Sequence, residues 1–331
     1  EAARLDPTVI NGGIINAYGT NTRMGSGEWM VVEADESDGS FLKLPAVVAV
    51  VTNMDPEHLD HWGTEEAMKE GYAQFVGNIP FYGFAVLCID HPEVQAMIPR
   101  LSDRRIVTYG FSPQADVRAE RVITDRMGAT FEVTVTDRLS GRVRNMKPFR
   151  LPMLGQHNVQ NALAVVAIAQ ELGMSDAVVR HAFKTFKGVK RRFTQVGSVH
   201  GVRIIDDYAH HPGELDVLMD SVKQLYPNRK CLLIFQPHLY TRTRDFADGF
   251  AQSLSKADET WLLPIYPARE LPIEGVNSEM IAEKMKCEYV RCLSKEEMLD
   301  SITKTEKGKV IVMAGAGDID VLVEKVKLKI S

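Results

Sequence analysis

Residues Val31–His61, VVEADESDGSFLKLPAVVAVVTNMDPEHLDH, decide how the chain is read. Two apolar runs, WMVV (29–32) and AVVAVVT (46–52), each end in a polar cluster. The first cluster holds Glu33, Asp35, Glu36 and Asp38; the second holds Asn53, Asp55, Glu57, His58, Asp60 and His61. Short β-branched runs without polar alternation read as buried strands in a parallel sheet. Open α/β sheets place their chemistry just past the carboxyl ends of such strands. Two neighbouring strand ends would therefore bring both clusters to one rim as a cation site. The plainer alternative is two solvated acidic loops.

Working outward, the same rhythm continues. Thr64 to Val76 reads as a helix, with Thr64 as N-cap and Glu65 and Glu66 in its first turn. Phe84 to Ile89 is a further buried strand, His91-Pro92 opens a helix, and Arg105 to Tyr109 is another strand. This β-α-β-α order predicts a parallel sheet with crossover helices. Val117 to Ile123, Ala129 to Thr136 and Arg142 to Phe149 then alternate, separated by the turns Met127-Gly128 and Ser140-Gly141, and predict a small antiparallel appendage. Gly155 to Leu172 and Asp176 to Phe186 are predicted helices. The domain boundary is placed so that residues 1–189 form one domain and 190–331 a second, Rossmann-like, doubly wound one. Upstream of Thr8 (strand TVINGG), residues Glu1 to Leu5 read as the last turn of a helix with no cap before it, which predicts that a segment is missing ahead of Glu1.

At 331 residues the chain suits about two domains. Its net charge of -5 points to neither a nucleic-acid nor a membrane partner, and no apolar run approaches the ~20 residues of a membrane span. The four cysteines form no CxxC pair; Cys88 and Cys231 sit in apolar runs as core thiols, which fits a reducing, cytoplasmic setting.

Four further constellations carry chemistry. His157, Asn158 and Asn161 open an apolar helix, and read either as planar groups for a base edge or as simple N-capping by Asn158. Arg191-Arg192 reads as a phosphate or carboxylate clamp, or as a solvated basic turn. Asp206-Asp207-Tyr208-Ala209-His210-His211-Pro212 gathers two acids, a phenol and two imidazoles at one strand end, which is hard to explain as structure alone. A zinc site there lacks any HExxH or CxxC companion. Gln236 to Asp245, QPHLYTRTRD, offers Arg242 and Arg244 as a bidentate carboxylate clamp. The tail's AGAGDID turn, Ala314 to Asp320, is a weak signal, because glycine there is also what close packing needs. No GxxxxGK[ST] phosphate loop occurs in the 331 residues.

Taken in order, VEADESDGSF, TNMDPEHLDHW, FYGFAV, GQHNVQNALA, GVKRRF, DDYAHHP and QPHLYTRTRD closely resemble the Mur ligases, the ATP-dependent amide-forming enzymes of peptidoglycan synthesis. Within that family they resemble the alanine-adding branch. The branch that recycles murein tripeptide is the nearest rival and tends to carry Phe where this chain has Tyr208. The resemblance covers essentially the whole chain and implies a central ATPase-type domain followed by a Rossmann-like domain. It also implies that the family's UDP-binding domain and its GTHGKT-type phosphate loop lie upstream of Glu1. It implies ATP and magnesium as cofactors, with UDP-N-acetylmuramate and L-alanine as substrates. By resemblance, Glu33 and His58 are magnesium ligands, Asn158 and Asn161 face adenine, Arg192 faces the phosphates and Asp207 the ribose. Tyr208, His210, His238 and Arg242 line the amino-acid pocket. Many relatives have Arg after QPH where this chain has Leu239. On chemistry alone, Asp55, Glu57 and Asp60 are more obvious magnesium ligands than an imidazole, and His210 is a candidate general base. Without the phosphate loop, the chain on its own is expected to be inactive or a non-catalytic remnant.

Overall fold

The computed structural model describes the chain except for residues 126, 139, 288 and 303–307 and the side chain of Asp60. It divides into two compact units, Glu1–Gly188 and Val189–Ser331.

In the first unit β1 (Thr8–Ile15), β2 (Thr20–Arg23) and β3 (Met30–Val32) make a three-stranded sheet in the order β2-β1-β3. A six-stranded sheet follows in chain order: β4 (Val48–Val51), β5 (Phe84–Cys88), β6 (Ile106–Gly110), β7 (Val117–Asp125), β8 (Gly128–Thr136) and β9 (Val143–Leu151). Its pairings are parallel from β4 to β7 and antiparallel from β7 to β9. The expected antiparallel strands are present and prolong the parallel sheet, since Tyr109 pairs with Val117 and Gly110 with Arg118.

The helices α1 (Leu59–Trp62), α2 (Glu65–Gly77), α3 (Pro92–Met97), α4 (Gln156–Glu171) and α5 (Asp176–Thr185) complete this unit. β5 reads FAVLC with no polar residue because both of its faces are covered. Ala85 and Leu87 share a core with Val76 of α2 and Val94 of α3. Val86 and Cys88 share another with Leu163 and Val166 of α4. α2 starts where expected: the Thr64 side chain accepts the Ala67 N–H at 3.1 Å.

One expectation for this unit needs correcting. The WMVV run is not a buried strand beside AVVAVVT. Among the described residues β3 pairs only with β1, at the edge of the small sheet, so Met30 and Val31 stay 58% and 56% exposed. Residues Glu1 to Leu5 form a turn closed by Arg4 N–H to Glu1 O at 2.7 Å. The loop after β1 also contains β2, whose polar TNTR gives no strand pattern.

The second unit is one six-stranded sheet in the order β10-β11-β15-β12-β13-β14. Its strands are β10 (Thr194–Val199), β11 (Val202–Asp207), β12 (Cys231–Phe235), β13 (Glu259–Leu262), β14 (Tyr289–Cys292) and β15 (Val310–Ala314). Only β10 runs antiparallel. The helices are α6 (Pro212–Leu225), α7 (Tyr240–Asp245), α8 (Ala247–Leu254), α9 (Glu279–Ala282), α10 (Lys295–Ser301) and α11 (Asp320–Ile330). Alternate strand residues serve two cores. Ile205, Leu233 and Val312 pack with α6 and α8, whereas Ile204, Ile234 and Ile311 pack with α10 and α11. That is the doubly wound arrangement expected from the sequence. Cys88 and Cys231 are buried and free, and burial pushes the Cys231 thiol up to about 12. Among the described residues no helix is long and apolar enough to cross a membrane.

Candidate active-site residues

Register builds the site of the second unit. Asp207 stands opposite Ala314, and Ala314 opposite Phe235. The loops opened by Tyr208, Gly315 and Gln236 therefore leave one rim together, at the carboxyl ends of three adjacent parallel strands. The glycines of AGAG allow this close approach. A Cβ on Gly317 would lie 2.5 Å from Gln236 Oε1 and 2.7 Å from Tyr266 Cβ. Gln236, buried, donates to Asp318 Oδ1 at 2.9 Å and accepts the Ile319 N–H at 3.0 Å.

Asp207 is committed to the fold. Its Oδ2 accepts the Phe193 N–H at 2.6 Å and its Oδ1 the Ala209 N–H at 2.8 Å. Burial raises its carboxyl to about 6, against the pull of those two donors. The arginine pair splits into two roles. Arg191 is held inside by Asp206 (Nε to Oδ1, 3.3 Å) and by the Gly315 carbonyl (Nη2, 2.6 Å). Arg192 is exposed and reaches Glu214 Oε1 at 3.3 Å. Both guanidinium groups lie over the Tyr208 ring, at 5.1 and 5.8 Å from its centroid.

The two imidazoles of DDYAHHP also divide. His211 is the N-cap of α6, in a capping box with Glu214. His210 faces the rim; its Nδ1 lies 2.9 Å from Tyr208 O and 3.3 Å from Glu214 Oε2. Its ring is 6.1 Å from that of His238, which stacks on Tyr266 at 5.7 Å. Burial, helped by His210 and Arg242, lowers the His238 pKa to about 4, and its buried Nδ1 has no partner among the described residues. His238 is therefore a neutral imidazole near pH 7. The next residue, Leu239, takes φ 70°, a left-handed conformation unusual for a branched side chain. Its N–H is held by Tyr266 O at 3.0 Å, and Glu270 caps the first turn of α7 through the Tyr240 and Thr241 N–H groups at 2.5 and 3.1 Å. Arg242 is half-buried beside His238. The expected Arg242–Arg244 clamp does not form: the Arg244 fork is already filled by Asp245, at 2.7 and 3.2 Å.

In the first unit, His58 at φ 54° turns its Nε2 to Glu36 Oε1 (3.6 Å) and Glu57 Oε2 (3.7 Å). The three ligand atoms lie within 4.8 Å of one another. The Glu36 loop is tied down by Trp62 Nε1, which donates to Glu36 O at 3.0 Å. Burial raises the Glu36 pKa, opposed by a hydrogen bond from its own backbone N–H and by His58, while Glu57 and Asp35 push upward with burial. The Glu33–His58 pair is not assembled, because Glu33 Oε2 accepts the Gly12 N–H at 2.7 Å. Asp55 is engaged by Asn53 Nδ2 at 2.8 Å and lies 3.4 Å from His91 Nε2, while the Asp60 side chain lies outside the described residues. On α4 the N-cap is Gly155, so Asn158 does not cap the helix; its Nδ2 donates to Leu154 O at 2.7 Å. Asn161 is exposed one turn later.

Sequence reasoning missed Glu214, Tyr266 and Glu270. Glu214 was findable, since His211-x-x-Glu214 has the spacing of a capping box. Tyr266 and Glu270 reach the rim only through the isolated bridge of His238 with Tyr266, which leaves no local pattern.

Known proteins resemble the chain in both of its units. Residues 17–169 match the Mur ligase middle domain, and residues 191–317 match the Mur ligase, glutamate ligase domain. The chain is 57% identical over 326 residues to the UDP-N-acetylmuramate–L-alanine ligase of Gluconobacter oxydans, covering 96% of this chain and 68% of that protein. It is equally similar to the enzyme of that name from Granulibacter bethesdensis, covering 67% of it. Among solved structures, the UDP-N-acetylmuramate–alanine ligase of Thermotoga maritima superposes with a TM-score of 0.80 at 27% identity, over 99% of this chain and 69% of that one. A murein peptide ligase from Psychrobacter arcticus shares the fold, with a TM-score of 0.71 at 21% identity over 99% of this chain and 72% of that one. The chain therefore belongs to the Mur ligase family of amide-bond-forming ligases.

Proposed function

We propose that the chain carries the nucleotide- and amino-acid-handling parts of a cytoplasmic ligase that joins L-alanine to the muramoyl carboxylate of UDP-N-acetylmuramate. The observation that carries this reading is the rim of the second unit, where Tyr208, His210, His238 and Arg242 gather, in a chain 57% identical to enzymes of that name. The muramoyl carboxylate takes the terminal phosphoryl group of ATP to give an acyl phosphate. The alanine amine attacks that carbon, and phosphate leaves.

The roles follow from the side chains. Arg242, a half-buried cation beside a neutral imidazole, holds the alanine carboxylate. Leu239 adds only apolar surface there. His210 takes the proton that the ammonium group must lose before attack. Arg192, exposed and held by a single carboxylate, neutralises phosphate charge. Asn158 and Asn161 present amide groups to the adenine edge. Asp207 supports the ribose side indirectly, by shaping the turn that carries Tyr208 and His210.

Magnesium fits the first unit. Glu36 and Glu57 offer hard oxygen ligands, and their mutual repulsion is what a divalent cation relieves. Glu36, Glu57 and His58 would hold it, with Glu33 available should it leave Gly12. When bound, it neutralises phosphate charge during transfer.

The test is replacement of the matching 68% of the Gluconobacter oxydans enzyme by this chain. The chimera is expected to form UDP-N-acetylmuramoyl-L-alanine, ADP and phosphate, and Arg242→Ala is expected to raise its KM for alanine at least tenfold. A folded chimera without ligation overturns the reading. The 331-residue chain alone, having no phosphate-loop motif in its sequence, is expected to give no detectable product. Turnover near 10 per second, a typical enzyme rate, would overturn that expectation.

A further inference from the structure

Glu214 sits in the first turn of α6 and satisfies four donors or near-donors with one carboxylate. Its Oε2 accepts the N–H of His210 at 2.9 Å and that of His211 at 3.2 Å. The same oxygen lies 3.3 Å from His210 Nδ1, and Oε1 lies 3.3 Å from Arg192 Nη1. The His210 ring atom nearest these acceptors also lies 2.9 Å from Tyr208 O. A carbonyl oxygen can only accept, and so can a carboxylate, so Nδ1 must carry the proton. The neutral His210 ring then holds its lone pair on Nε2, the nitrogen turned away from Glu214.

From this geometry we infer that Glu214 is a positioning residue that fixes His210 as an Nε2 base and divides its charge between His210 and Arg192, so that the proton affinity of His210 depends on how Arg192 is paired. The argument is electrostatic. A carboxylate beside an imidazole favours the imidazolium form, and a guanidinium on the same carboxylate weakens that effect. When Arg192 leaves Glu214, for an anion or by mutation, the full negative charge acts on His210 and the ring becomes a stronger base. When Arg192 returns, the base weakens. Occupancy of the arginine is thereby reported to the histidine through one side chain.

The other groups around His210 do not replace this link. Tyr208 presents its carbonyl and its ring, at 5.3 Å. His238, 6.1 Å away after β12, is held neutral by burial. Arg242 acts on His238 from α7, and Asp207 spends both carboxylate oxygens on backbone N–H groups. Arg191 is bound to Asp206. The Glu214 pKa is lowered: burial opposes this, but His210, its backbone N–H and Arg192 outweigh it, so the carboxylate form is favoured.

This inference rests on His210 as the proton acceptor of the proposed ligase, but it is tested without turnover, so either can fail alone. The 331-residue chain, labelled with 15N in histidine, is titrated by NMR. In the unmodified chain the His210 ring is expected as the Nδ1–H tautomer; an Nε2–H majority overturns the inference. Glu214→Gln keeps an oxygen for the backbone N–H groups and is expected to lower the His210 proton affinity about tenfold. Arg192→Gln is expected to raise it about threefold. In the Glu214→Gln background, Arg192→Gln is expected to change it by less than twofold. If Arg192→Gln acts equally in both backgrounds, the arginine reaches His210 directly and the coupling through Glu214 is refuted. If Glu214→Gln leaves the affinity unchanged, the positioning role itself is refuted.

Discussion

Two clusters of charge, one in each unit, are held in different ways. At the rim of the second, carboxylates have donors in place: Asp207 has two backbone N–H groups, Asp206 has Arg191, and Glu214 has two backbone N–H groups and Arg192. In the first unit, Glu36 and Glu57 converge on one imidazole, at 3.6 and 3.7 Å from its Nε2, and each disfavours the charge of the other. The second arrangement is organised in advance by the fold; the first is a repulsive cluster that a cation would settle. A buried carboxylate with donors adds to rigidity, whereas one facing its like stores unfavourable energy until a positive charge arrives.

The largest effect expected from this contrast is at Asp207. Asp207→Ala leaves the Phe193 and Ala209 N–H groups without acceptors. It should cost the second unit about 2 kcal/mol at pH 7, net of the charge burial it relieves. Because two units can unfold separately, the transitions must be read individually in urea. A loss below about 0.5 kcal/mol would break the claim that the fold depends on this carboxylate. The same residue sets a pH dependence. Its folded pKa, raised by burial to about 6, lies above the ordinary aspartate value of 3.8. Between those values the folded state keeps a proton that the unfolded chain has released, so stability falls as pH rises from about 4 to 6. The share of the slope that Asp207 contributes should be lost in Asp207→Asn.

A smaller effect sharpens the other side. Millimolar magnesium should stabilise the first unit, by about 1.4 kcal/mol at ten times its Kd, and leave the second unit unchanged. Glu57→Gln should abolish the gain. An equal midpoint shift in that variant would mean the cation binds elsewhere.

The contrast also explains what the sequence could and could not disclose. Strand-end placement of DDYAHHP, QPH and AGAG was legible because apolar runs and the polar residues after them are local signals. The division of labour within each motif was not. His211 became a cap and His210 a rim residue because α6 begins at Pro212. Arg191 went inside and Arg192 outside through partners at Asp206 and Glu214, the first 15 and the second 22 residues away. The fold of the first unit was legible from β4 onward, where burial on both faces enforces apolar runs. It was misread at Met30–Val32, because an edge strand can carry the same residues without burying them. For the same reason Glu33, at the end of that strand, was expected beside His58, whereas the register of β1 with β3 brings it to Gly12.

The finest test of the contrast is Glu36→Gln. Burial raises the Glu36 pKa, and Glu57 and Asp35 add to it. For an acid this sign means that the charged form is disfavoured in the folded state, so stability is lost as pH rises above the unfolded carboxylate value of 4.5. Replacing the carboxylate by an amide of the same shape removes that penalty. In metal-free buffer at pH 7 the variant should therefore be more stable than the parent, by less than about 1 kcal/mol. With magnesium the order should reverse, because the amide no longer supplies the charge that binds the cation. At pH 4, where Glu36 is protonated in the parent, the metal-free difference should disappear. A variant that is less stable under every condition would show that Glu36 belongs with Asp207, as a carboxylate the fold needs, and would dissolve the distinction between the two units.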